Sequence, residues 1–299
     1  MSRAAVARSA VDAVRARAPR AVEVVEFSDG IDLAMIDFLV PPSGERGVLS
    51  ALPGLERLAV VQLLSAGTDW IEPYMPEQAI LCSARGARDG PVGEWMLGAL
   101  VGASTGLLEC ARERRWSSRH LDDLAAWTVL IVGMGSIGRH LATLLRPLGT
   151  KVLGVGSRAH DGLRGVDELP ELLPQADAVV VLTPLTDATR GLIGAAELGA
   201  MRDGAVLVNA ARGAVVDTEA LLAEVRSGRL RAVLDVTDPE PLPDDHPLWS
   251  APGVLSITPH VGGDSPLGHA RAAALAGEQL ARWAAGEALH NVVAPRPRS

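Results

Sequence analysis

Val129-Leu-Ile-Val-Gly-Met-Gly-Ser-Ile-Gly138 decides the fold of this chain. Its first four residues form a continuous apolar run, as expected for a strand buried on both faces. Three glycines at the spacing G-x-G-x-x-G follow, and a helical pattern begins at Ser136 and closes near Gly149. A strand, a tight glycine turn and a helix start together present unpaired backbone amides and the positive end of a helix to a pyrophosphate. Gly133, Gly135, Ser136, Ile137 and Gly138 are therefore candidate cofactor-binding residues. In a chain with 31 glycines the spacing alone is weak. Its setting gives it weight.

Working outward from that turn, strand signals recur at Lys151–Val155, Ala178–Leu182, Ala205–Val208, Arg231–Leu234 and Val254–Ile257, separated by helical stretches such as Thr218–Ser227. Such alternation specifies a parallel sheet covered by helices on both faces. Upstream, Ala21–Phe27, Phe38–Val40 and Leu58–Leu64 read as strands. Trp95–Leu108 reads as a buried helix, and residues 266–286 as an amphipathic, Ala-rich one. The N-terminus is rich in Arg and Ala. With Val6, Ala10, Val11 and Val14 on one helical face, it reads as a first helix rather than a transit peptide.

At 299 residues the chain has room for two cores. A formal charge of −8 argues against nucleic acid and anionic membranes as partners. The two cysteines, Cys82 and Cys110, have neither metal nor redox spacing, which suits a reducing cytoplasm, and no metal site is expected. About 20 residues past the glycines, where NAD sites usually place an acid on the ribose 2′-hydroxyl, the chain reads Val155-Gly-Ser-Arg158, with no carboxylate until Asp161. A hydroxyl and a guanidinium at Ser157 and Arg158 suit a 2′-phosphate. NADP is thus favoured over NAD, although a solvated Arg158 and acceptance of either cofactor stay open.

Three further segments each place one ionisable side chain beside an apolar run and a Pro or Gly break. They are Val208-Asn-Ala-Ala-Arg-Gly213, Leu234-Asp-Val-Thr-Asp-Pro-Glu-Pro241 and Thr258-Pro-His-Val-Gly-Gly263. Reducing a 2-keto acid needs a cation for the carboxylate and a proton donor for the carbonyl oxygen. Imidazole is a suitable donor near neutral pH, and an adjacent carboxylate fixes its tautomer. Arg212, Glu240 and His260 supply those three types.

With these segments, and with Val61-Gln-Leu-Leu-Ser-Ala-Gly-Thr-Asp69, Val92-Gly-Glu-Trp95 and Thr183-Pro-Leu-Thr-Asp-Ala-Thr189, nearly the whole chain resembles the D-isomer-specific 2-hydroxyacid dehydrogenase family. The resemblance implies a Rossmann dinucleotide domain, about residues 93–266, inserted in a smaller flavodoxin-like substrate domain of residues 1–92 plus 267–299. It implies that Arg212 holds the substrate carboxylate, that His260 transfers the proton and that Glu240 orients His260. It also implies that the amides of Ala66 and Gly67 bind the carboxylate, that Asp235 meets the nicotinamide carboxamide and that Thr183 and Pro184 line the cofactor pocket. The partner would be a small 2-keto or 2-hydroxy acid, as in glyoxylate/hydroxypyruvate reductases, and the assembly a homodimer. The alternative is a nucleotide-sensing binding protein of the same fold with little turnover.

Members usually begin with a strand, whereas this N-terminus reads as a helix; Leu124-Ala-Ala-Trp127 also replaces the more usual Gly-Lys. Arg85 and Arg88 either read a second acidic group on the substrate or stay solvated. The other histidines, including His120, His140, His160, His246, His269 and His290, read as surface residues.

Overall fold

A computed structural model describes residues 2–28, 30–42, 46–113, 116, 121–159 and 162–293. His120, His160 and Asp161 lie outside the described residues. Contacts divide the chain into two units, Met1–Arg88 with Asp264–Ser299, and the contiguous Asp89–Gly263.

The second unit is built on seven parallel strands: β6 (Thr128–Val132), β7 (Lys151–Gly156), β8 (Arg164–Gly165), β9 (Ala178–Val181), β10 (Val206–Asn209), β11 (Arg231–Leu234) and β12 (Val254–Ile257). Their order is β12-β11-β10-β9-β6-β7-β8, so the winding reverses between β6 and β9. Side chains alternate across the sheet as a period of two requires. Leu130, Val132, Val179, Val181 and Leu207 enter one core, while Val129, Ile131, Val180, Val206 and Val208 enter the other. This is why these strands read as unbroken apolar runs.

The first unit carries β1 (Ser2–Val6), β2 (Val22–Glu26), β3 (Phe38–Val40), β4 (Val60–Gln62) and β5 (Ile80–Cys82), in the flavodoxin-like order β2-β1-β3-β4-β5. Its winding reverses between β1 and β3. The expected N-terminal helix is corrected here. Residues Ser2–Val6 form a central strand paired in parallel with both β2 and β3, and the helix is confined to Val11–Arg15. Ala4 and Ala5 are wholly buried, on opposite faces of the sheet. The helical preference of alanine yields to pairing on both edges and cover on both faces. Ala10, Val11 and Val14 do form a buried helical stripe, packed against Ala273, Ala276 and Leu280 of the Pro266–Ala285 helix.

Other boundaries differ for local reasons. The helix begun at Ser136 ends at Leu145, and Arg146–Leu148, containing Pro147, continues as a 3-10 turn. The helix over Trp95 runs from Asp89 to Ser104, and a second begins at Leu107 after Gly106, whose φ is +63°.

Both cysteines are free, Cys82 buried and Cys110 exposed. Burial pushes the Cys82 thiol up to about 11, against a smaller opposing hydrogen bond with Gln279. Near pH 8 it is therefore a protonated, enclosed thiol. Titration of the folded protein with a chromogenic disulfide at pH 8 is expected to modify one thiol per chain promptly, with the second appearing only on unfolding. Two prompt thiols would show that Cys82 is accessible.

Candidate active site

The glycine turn lies at the winding reversal of the second unit, where ligands of open parallel sheets bind. Each glycine meets a different constraint. Gly133 has φ +112°, and a Cβ there would lie 2.6 Å from the Leu182 carbonyl carbon and 2.8 Å from the Thr183 nitrogen. A Cβ on Gly138 would collide with the Gly133 carbonyl oxygen, so helix and strand close on each other only with glycine present. Gly135 has nothing within 4 Å. It is the N-cap of the Ser136–Leu145 helix, with no side chain capping the first amides. Open space over Gly135 and uncapped amides fit a pyrophosphate. Thr183 adds a buried hydroxyl that has no hydrogen-bond partner among the described residues, which fits a ligand group seated there. Pro184 is exposed, and its carbonyl accepts from Thr189 Oγ1 at 2.6 Å. The Ser136 hydroxyl donates to Asp89, while Ile137 packs against the core beneath. Ser157 and Arg158 are exposed just beyond β7.

The three ionisable residues sit on loops leaving β10, β11 and β12. Asn209, at the end of β10, is buried; its Nδ2 donates to the Arg212 carbonyl at 3.1 Å and its Oδ1 accepts from the Ala211 amide at 3.1 Å. The Arg212 guanidinium donates to the Ala211 carbonyl at 2.8 Å. A Cβ on Gly213 would overlap the Thr237 backbone, so the arginine segment lies hard against the segment leading to Glu240.

His260 Nδ1 and Glu240 Oε1 are 2.7 Å apart, both side chains partly exposed. With the carboxylate on Nδ1, the Nε2 edge is left to serve a reacting oxygen. His260 has φ +55°, an uncommon conformation for a residue with a side chain. Its amide donates to the Asp235 carbonyl at 2.8 Å and the Thr258 carbonyl at 3.0 Å. The Asp235 carboxylate, 4% exposed, then gathers the loop around it. Oδ1 accepts from Thr258 Oγ1 at 2.6 Å and from the Val261 amide at 2.9 Å, and Oδ2 accepts from the Gly262 amide at 2.9 Å. Sequence reasoning named Asp235 only for a cofactor contact; its hold on the histidine loop spans 23 to 27 residues and leaves no short-range signal.

In the first unit, the loop after β4 holds Ala66 and Gly67, both half-buried. Ser65 Oγ donates to the Gly67 carbonyl at 2.8 Å. Among the described residues, neither the Ala66 nor the Gly67 amide donates to a protein acceptor, which leaves two donors for an anion. Of the histidines expected at the surface, His140 and His246 are instead half-buried, His140 close beside Gly93. No group of three His, Cys, Asp or Glu among the described residues could hold a metal ion, and no described helix is long and apolar enough to cross a membrane.

The second and third glycines of the turn separate stability from ligand binding. Gly138→Ala is expected to destabilise the protein by about 1–3 kcal/mol through overpacking. Gly135→Ala is expected to keep the melting temperature and weaken dinucleotide binding. Thermal unfolding and cofactor titration of both variants check this; equal melting losses would refute the assignment.

Residues 96–262 match the model of the D-isomer-specific 2-hydroxyacid dehydrogenase NAD-binding domain. The chain is 32% identical over 255 residues to glycerate dehydrogenase of Methylorubrum extorquens, covering 80% of this chain and 78% of that one. Against several other curated relatives it spans about half of their length. A D-isomer-specific 2-hydroxyacid dehydrogenase from Xanthobacter autotrophicus Py2, solved with NADPH and MES, superposes with TM-score 0.83 at 29% identity, covering 99% of each chain. An NADPH-dependent glyoxylate/hydroxypyruvate reductase from Sinorhizobium meliloti, solved with NADP and sulfate, gives TM-score 0.84 at 28% identity over 98% of each. With its glycine turn, its His–Glu pair and this match over more than half its length, the chain belongs to the D-isomer-specific 2-hydroxyacid dehydrogenase family and is an NAD(P)-dependent enzyme of that class.

Proposed function

We propose that the protein reduces a small 2-keto acid to the D-2-hydroxy acid with NADPH, in the manner of a glyoxylate/hydroxypyruvate reductase. The observation that carries this reading is the 2.7 Å His260–Glu240 pair. Bound NADPH supplies the hydride. His260 gives a proton from Nε2 to the carbonyl oxygen as negative charge develops there. Glu240 holds the ring so that Nε2 faces that oxygen and stabilises the imidazolium before transfer. Arg212 pairs with the substrate carboxylate and polarises the carbonyl; in the first unit, the Ala66 and Gly67 amides are donors suited to a carboxylate. Thr183 and Pro184 line the nicotinamide pocket. Asp235 has one acceptor position beyond its three loop bonds, which would receive the nicotinamide carboxamide.

Support for NADPH comes from Ser157 and Arg158, where a carboxylate would repel the 2′-phosphate, and from the NADPH-dependent relative. A homodimer and a cytoplasmic setting complete the reading, on the family resemblance and on two unpaired cysteines.

A panel of glyoxylate, hydroxypyruvate, pyruvate and a bulkier 2-keto acid, run with both cofactors, is expected to show turnover with NADPH. Binding of NADPH without turnover of any of them would support a nucleotide sensor instead. His260→Ala is expected to lower kcat by about 10²- to 10⁴-fold while sparing cofactor binding; near-normal turnover would mean that another group gives the proton. Arg158→Ala is expected to raise KM for NADPH about tenfold or more with little change for NADH. Equal losses would refute the NADP preference.

A further inference from the structure

A cavity of about 350 Å³ opens in the first unit, lined by residues that leave the carboxyl ends of its strands. Ala7, Arg8 and Ser9 follow β1, and Pro42 follows β3. The cavity thus sits at the winding reversal of the first sheet, where an open parallel sheet binds its ligands. Leu64, on its wall, directly precedes the Ser65-Ala66-Gly67 loop. The volume is that of a small ligand pocket.

The chemistry of the lining is cationic on an apolar wall. Arg88 lines the cavity; its Nε is buried and without a partner, and among the described residues its guanidinium makes no hydrogen bond or ion pair. Arg88 is half-buried, and a buried N–H left unpaired is unfavourable, so a ligand anion that accepts from it gains binding energy. Arg8 reaches the same cavity. Among the described residues its only ion pair is a 3.7 Å contact with Glu26, and its side chain is 90% exposed. His269 lies in the first turn of the Pro266–Ala285 helix, with Nε2 held by Asp264 at 2.5 Å. The positive end of that 20-residue helix lies beside the cavity.

We propose that this cavity is the side-chain subsite of the 2-keto acid and that it selects a substrate carrying a second carboxylate, held by Arg88 with help from Arg8. The proposal rests on the reductase reading through the Ala66–Gly67 loop beside Leu64. A keto acid held there by its 2-carboxylate extends its side chain past Leu64, and a terminal anion two or three methylenes away meets the guanidinium.

The test compares kcat/KM for 2-oxoadipate with that for 2-oxohexanoate, of equal length but with an uncharged side chain, using NADPH and the full chain. The expected diacid preference is about 10- to 100-fold, the range for a charge-assisted contact. In Arg88→Gln that ratio is expected to fall toward one, chiefly through KM of the diacid. Arg88→Lys, which keeps the charge, is expected to retain part of it, and serves if the glutamine variant does not fold. A neutral-chain preference, or a ratio unmoved by Arg88→Gln, would overturn the subsite. If no 2-keto acid, glyoxylate included, is turned over, calorimetric titration with glutarate decides separately. Saturable binding lost in Arg88→Gln keeps the anion site while the reductase reading fails, and absence of binding overturns both.

Discussion

The buried carboxylate of Asp235 is the constraint on which the proposed chemistry depends. His260 occupies a left-handed backbone conformation that stores roughly 1–3 kcal/mol. Three hydrogen bonds to one ionised group, one from a hydroxyl and two from backbone amides, outweigh it, since bonds to a charged acceptor contribute about 1.5–3 kcal/mol each. The strain is thereby localised at the one residue whose ring direction matters. Gly262 belongs to the same device: a Cβ there would lie 2.9 Å from Asp235 Oδ2, where the amide now donates.

A single topological rule places both halves of the chemistry. Each sheet reverses its winding once, between β1 and β3 in the first unit and between β6 and β9 in the second. At each reversal the loops diverge and leave a hollow at the strand ends. In the second unit the hollow is shaped by backbone, with glycines where side chains would intrude and a buried threonine hydroxyl awaiting a partner. In the first it is shaped by side chains, with arginines on an apolar wall. Backbone suits a ligand part that never changes, the pyrophosphate of a cofactor. Side chains suit a part that differs between relatives.

How much was legible in the sequence follows from the range of the interactions. The strands of the second sheet carry their signal in their own residues, because a strand covered on both faces must be apolar throughout. Arg212, Glu240 and His260 stood out because each adjoins a Pro or Gly break. The three-residue β5, Ile80–Cys82, is too short to carry a period. β1 was misread because alanine is informative about helices only where nothing larger competes, and here two neighbouring strands do. The loop-organising role of Asp235 and the cavity joining Arg8 to His269 arise only when distant residues meet. Arg88 could be suspected from its chemistry, but that its Nε is buried without a partner among the described residues is a fact of the fold.

The interrupted course of the first unit has a consequence for how the protein is made. Its central strand, β1, precedes the second unit in the chain. The helix Val11–Arg15 packs on Ala273, Ala276 and Leu280, which follow the second unit. The second unit is one unbroken stretch, Asp89–Gly263, and its core needs nothing from either end. Domains fold as units during synthesis, so the nucleotide-binding unit can be complete while the N-terminal sheet still waits, one hydrophobic face uncovered, for its closing helix. The unit made first is finished last.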